Sequence, residues 1–349
     1  MQKSRWNRKL KKWHDKESRI TNKKDGRKVQ KDSTKTSKYV SADQTVMENS
    51  NQLFVYLTVP DVFSLTENTE DTMSFFMEFV RKIQERKNGS HFYIDSKNVK
   101  EVTVDALIYL IAILQNDRIN LPMKYQYTGN FPANESARKI YEESGFTNYV
   151  HSQKKSLPSD TEKMRITSGS KNDSDISKRF CEFVMEKLNK SRVEITPLHV
   201  VLIELMSNVY HHAYEKNNEM IAQKWYMYAE HIDDHVRFVF ADTGMGIAKT
   251  VRKNFREKIQ QSFKVGVNDG ALLHSAFSGE FRTQTRQPYR GNGLSTVRER
   301  VLNGPFLNFE VISGRGKCVI SREQDNPEKL KICNYTSTIY GTLYTFDIY

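Results

Sequence analysis

The chain has 349 residues and 38% hydrophobic content, enough for two globular domains, and no apolar run reaches the roughly 18 residues that cross a bilayer. The N-terminus carries no signal-peptide core, so a cytoplasmic protein is expected, and Cys181, Cys318 and Cys333 lack metal-ligand spacing and are odd in number, which argues against zinc and disulfides. The net charge of +12 is local: residues 1–40 hold 15 Lys or Arg against 4 Asp or Glu, a net of +11, and the rest of the chain carries +1.

Residues 1–48 form a basic tail that cannot bury enough apolar surface to order itself and is expected to be disordered. Trp6 and Trp13 interleave with its charges, a pattern open to two readings: contact of residues 1–40 with nucleic acid, ribosome or another polyanion, or a solubilising arm. In residues 49–150, LFVYLTV (53–59), HFYIDS (91–96) and MKYQYTG (123–129) read as strands. Residues 72–85, 103–115 and a capped segment from Asn134 read as helices, so this part is an α/β domain. Residues 151–174 are polar and read as a linker, and 175–349 form the second domain.

The second domain holds four motifs. In residues 196–215, Thr196 and Pro197 suit a helix start, and Leu198, Val201, Leu202, Leu205 and Val209 recur as one buried stripe. Glu204 and Asn208 stack four apart at its edge, where they can serve a cation and a water or merely face solvent. Val236, Phe238 and Phe240 alternate into a strand that ends at Asp242, and Gly244 and Gly246 then let the backbone bend without a Cβ in the way of a ligand. RGNGL (290–294) feeds Gly291 and Gly293 into a helix N-terminus, a recipe for holding phosphate, with Leu294 among the apolar positions that follow. YGTLYTFDIY (340–349) alternates as a strand with Thr342 near its start.

In this order, over residues 175–349, the four motifs resemble the GHKL superfamily of ATP-binding domains, shared by gyrase B, MutL, ninety-kilodalton heat-shock chaperones, sensor histidine kinases and anti-sigma serine kinases. The resemblance implies an α/β sandwich with a mixed, largely antiparallel sheet layered with helices, and it implies ATP and Mg²⁺ as cofactors. Asn208 would coordinate Mg²⁺ and Glu204 would be the general base. Asp242 would accept the adenine amino group, supported through a water by Thr342, while Gly244 and Gly246 pass close to the nucleotide. Gly291, Gly293 and Leu294 would contribute from the phosphate side. NVYHHAY (208–214) is most similar to the anti-sigma serine kinases, and neither His151 nor His199 stands where a phosphoacceptor is needed. Residues 248–290 read as a lid, in which Arg282, Arg286 or Arg290 can meet a γ-phosphate or simply belong to a solvated basic loop.

Residues 95–110, DSKNVKEVTVDALIYL, resemble a STAS domain, but Thr103-Val104-Asp105-Ala106 stands where that family places its phosphoacceptor hydroxyl. The expectation is therefore a STAS-like α/β domain followed by a GHKL domain that hydrolyses ATP or phosphorylates a protein partner in signalling. Two alternatives stand beside it: a non-enzymatic ATP-gated module that binds a partner or homodimerises, and a MutL-like DNA-associated ATPase.

Overall fold

Short apolar runs separated by helical periodicity build the first half of the fold. The computed structural model describes residues 47–49, 52–85, 90–116, 126–150, 159–212, 224–254, 267–280, 293–321 and 329–349. In chain order these give β1 (Met47–Asn49), β2 (Gln52–Thr58), β3 (Val62–Phe63), α1 (Thr69–Glu85), β4 (His91–Asp95), β5 (Glu101–Val102), α2 (Val104–Leu114), β6 (Gln126–Gly129), α3 (Glu135–Glu143) and α4 (Thr147–Val150). A four-stranded sheet runs β1-β2-β4-β6, with β1 antiparallel to β2 and the other pairs parallel. The sheet begins at Met47, inside the range expected as basic tail. Asn134 caps α3 as its sequence suggests, accepting from the Ala137 N–H at 3.0 Å.

The second half contributes β7 (Lys163–Gly169), α5 (Ser174–Leu188), α6 (Arg192–His212), β8 (Trp225–Ile232), β9 (His235–Asp242), α7 (Ile247–Asn254), α8 (Asp269–Phe277), α9 (Gly293–Asn303), β10 (Phe306–Ser321) and β11 (Lys329–Ile348). Its sheet has the order β10-β11-β9-β8-β7, antiparallel throughout. Strand β7 lies in the stretch expected as a linker, so this sheet starts before residue 175.

Two further differences have local causes. Helix α6 starts at Arg192, five residues before Pro197, because Ser191 and Glu194 form a capping box: the Ser191 N–H donates to the Glu194 carboxylate at 2.9 Å, and Ser191 Oγ faces the Glu194 N–H at 3.4 Å. Pro197 lies near enough to that start to be accommodated inside the helix. The stretch expected as a lid contains α7 and α8, and α8 buries Leu272, Leu273 and Phe277, so this part of it is core. Arg282, Arg286 and Arg290 lie outside the described residues, as do residues 1–40, His151 and Gly291.

Helix α2 explains how the halves join. Its sequence VDALIYLIAIL is apolar on every side, and Val104 through Ile113 are all buried. A helix of that kind needs apolar neighbours all round. One core cluster unites α1 and α2 with Tyr226, Tyr228, Val239, Ala241, Ile312 and Leu343 of the five-stranded sheet. The alternate residues Trp225, Met227, Phe238 and Phe240 point to the opposite face, against α5, α6 and α9. The described residues from Met47 to Tyr349 therefore belong to one compact unit in which the five-stranded sheet is covered on both faces.

Candidate functional site

Asp242 ends β9 between two neighbours in register, Thr342 on β11 and Trp225 on β8. It is 4% exposed, and its carboxylate accepts from the Gly244 N–H at 2.7 Å and from the Thr342 backbone N–H. Burial opposes the charged form more strongly than these two bonds favour it, and raises the carboxyl from its ordinary 3.8 to about 7. The site thus contains an acid that changes charge near neutrality.

The turn after Asp242 depends on Gly246, whose φ is +78°. A Cβ there would stand 2.6 Å from Ser313 Oγ and 2.7 Å from the Gly341 carbonyl oxygen, so a side chain is excluded by both conformation and space. Ser313 is the residue that sequence reading missed. Fully buried, its hydroxyl donates to the Gly341 carbonyl at 2.8 Å, accepts from the Ile247 N–H at 2.9 Å, and lies 3.4 Å from Thr342 Oγ1. It ties the loop after β9 to the start of the β11 segment that pairs with β9. A lone serine in a long strand gives no periodic or motif signal by which to find it. Gly341, at φ +71°, abuts the Asp242 backbone.

Glu204 and Asn208 lie on α6 beside the stripe formed by the buried Leu198, Val201, Leu202, Leu205 and Val209. Helix α9 starts against them. A Cβ on Gly293 would come within 2.8 Å of Glu204 Oε2 and 3.4 Å of Asn208 Oδ1, so the first residue of α9 sits over the carboxylate and the amide together. Half-burial raises the Glu204 pKa above its ordinary value, which favours a carboxyl able to take up a proton. Asn208 Nδ2 is buried without a hydrogen-bond partner among the described residues, an unmet donor that marks this corner as polar and unfinished. Leu294, next to Gly293, packs with Ile247 against Ala248, Val251 and Leu272, which links the α9 start to the loop that follows Asp242.

The expected residues thus gather in two linked groups: Asp242, Gly244, Gly246 and Thr342 at the strand ends, and Glu204, Asn208, Gly293 and Leu294 at the helix junction. The Asn208 amide and the Glu204 carboxylate thus place two oxygen atoms side by side under the first residue of α9. Among the described residues, no group of three His, Cys, Asp or Glu side chains could hold a metal by itself. A separate cavity of about 470 Å³ opens between the first domain and the five-stranded sheet; both its cations are paired, Arg237 with Asp347 and Lys163 with Glu230, and its Asp105 carboxylate is held by the Leu65 N–H and the Thr66 and Thr103 hydroxyls. No described helix is long and apolar enough to cross a membrane. Compared with known proteins, the chain matches no family model and no curated sequence.

Proposed function

We propose that residues 159–349 form a GHKL-type domain that binds Mg-ATP and transfers its γ-phosphoryl group to water or to a protein, behind a STAS-like domain at residues 47–150. The observation that carries this reading is the convergence of Gly293 on Glu204 and Asn208, since two motifs about 90 residues apart in the chain meet where a phosphate-holding helix start needs them. The buried Asp242 carboxylate supports it from the other end, as an acceptor suited to an exocyclic amine.

In this reading Asn208 would hold Mg²⁺, which when bound would supply neutralisation of phosphate charge. Glu204 orients and deprotonates the attacking hydroxyl, its raised pKa lying in the direction a general base requires. The N–H groups of the first turn of α9 would donate to phosphate oxygens. Asp242 fixes the base, and its contact with Gly244 holds the carboxylate in one orientation. The partner-switching role suggested by the kinase resemblance would use a protein as phosphate acceptor.

The test is to incubate the purified protein with γ-labelled ATP and cell extract and follow the label. Label as free phosphate identifies an ATPase, and label on a protein identifies a kinase. Binding of ATP with no transfer under any partner condition replaces the enzyme by a nucleotide-gated binding module, and absence of ATP binding refutes the proposal.

A further inference from the structure

The first domain reaches the candidate site from behind, through one face of α2. Tyr109, Ala112 and Asn116 follow at helical spacing and all meet segments that flank Asp242. Asn116 Nδ2 donates to Thr243 Oγ1 at 2.6 Å and to the Thr243 carbonyl at 3.2 Å, while Thr243 Oγ1 donates to the Ala112 carbonyl at 3.5 Å. Thr243 is the residue after Asp242. The Tyr109 hydroxyl accepts from the Tyr340 N–H at 2.7 Å and donates to the Tyr340 carbonyl at 2.9 Å, so it replaces a strand partner for that residue. Tyr340 precedes Gly341 and Thr342, whose backbones abut and bond Asp242.

We infer that α2 of the first domain is the positioning element of the Asp242 loop, with Tyr109 and Asn116 as positioning residues, so that a change in the first domain alters nucleotide affinity without touching the nucleotide. The inference rests on the nucleotide reading for its ligand, but its geometry does not depend on that reading. Two backbone segments make the back wall of the site, and each is anchored by paired hydrogen bonds, the Tyr340 segment to Tyr109 of α2 in part-buried surroundings and Thr243 to Asn116 just past the end of α2 in buried ones, where loss of one partner leaves the other unsatisfied. Glu70 at the start of α1 adds a third anchor further along β11, where its carboxylate accepts from the Thr336 hydroxyl and N–H and the Ser337 N–H.

The experiment compares wild type, Tyr109→Phe, Thr243→Val and the hydroxyl-retaining Thr243→Ser. Amide hydrogen exchange without nucleotide is read over residues 242–247 and 338–343, with α5 as internal control, and Mg-ATP affinity is read by calorimetry. Tyr109→Phe and Thr243→Val should speed exchange in those two segments alone and weaken ATP binding about five- to tenfold, with KM raised and kcat at saturation kept in Tyr109→Phe. Thr243→Ser should restore both. Unchanged exchange in the two segments, or equal loosening of α5, overturns the positioning role. Faster local exchange with unaltered ATP affinity also overturns it. If wild type binds no ATP while the two segments still loosen, the nucleotide reading fails and the anchoring by α2 stands.

Discussion

Replacing Asp242 with asparagine should stabilise the protein at pH 8 while impairing the site. The carboxyl is raised from 3.8 to about 7 by burial. At about 1.36 kcal/mol per pH unit, holding it ionised in the native state costs about 4 kcal/mol relative to the unfolded chain. The sign follows from the proton count. Between these two pKa values the native state binds more protons than the unfolded state, so stability is full below about pH 4 and is lost as pH rises through about 7. Asparagine carries no charge and escapes this loss, but its single amide oxygen must serve both the Gly244 and Thr342 N–H donors, which takes back part of the gain. A net gain of about 2 kcal/mol at pH 8 is expected, turning into a net loss of about 2 kcal/mol near pH 4, because the hydrogen-bond loss persists at every pH while the ionisation cost of about 4 kcal/mol vanishes there. Urea denaturation of both proteins from pH 4 to 8 measures it, and the difference between the two curves isolates this group from other titrations. Parallel curves would refute the burial argument.

Other expectations follow from the same geometry. Mg-ATP should bind more tightly at pH 8 than at pH 6 in wild type, because the amine-accepting form of Asp242 is the ionised one; calorimetry in two buffers should also detect proton release, and pH-independent binding would remove Asp242 from base recognition. Glu204→Gln should retain ATP and lose turnover by about 10²-fold or more, measured as phosphate or phosphoprotein formation. Ser313→Ala should leave the Ile247 N–H without its acceptor and cost about 1–3 kcal/mol in urea midpoint analysis, a value near zero showing that the loop is held otherwise. Deleting residues 1–40 should abolish any salt-dependent binding to oligonucleotides and spare ATP affinity, checked by fluorescence titration at several salt concentrations.

What the sequence made legible and what it hid separate along physical lines. Period-two runs such as residues 236–240 and the capped start at Asn134 declare themselves through local chemistry, and the structure repeats them nearly to the residue. The start of α6 was legible too, as Ser191-Arg192-Val193-Glu194, but Pro197 is a louder signal for a first turn than the capping box before it. Helix α8 carries a helical pattern of its own, with Leu272, Leu273, Ala276 and Phe277 at helical spacing behind an Asn268 cap, but it is only nine residues long and lies between polar stretches whose composition dominates the reading of the whole segment. Gly293 could be singled out by motif, but that it lies over Glu204 and Asn208 is a tertiary fact with no local trace. Packing of the first domain on the sheet left one clue, the all-round apolarity of residues 104–114, which is as compatible with a core helix of a single domain as with a helix between two sheets.

Strand β11 is made after every other element of its sheet, yet it lies between β10 and β9 and supplies the partner of Asp242. During synthesis the ribosome must therefore release residue 348 before β9 gains its second neighbour, with about a hundred residues separating the two strands. Until then the apolar faces of β8 and β9, and the helices that lie on them, have an open edge where the last strand belongs. A nascent chain halted before β11 should be a substrate for chaperones that shield unpaired strands, and slow translation upstream of β11 would lengthen that exposure rather than assist folding.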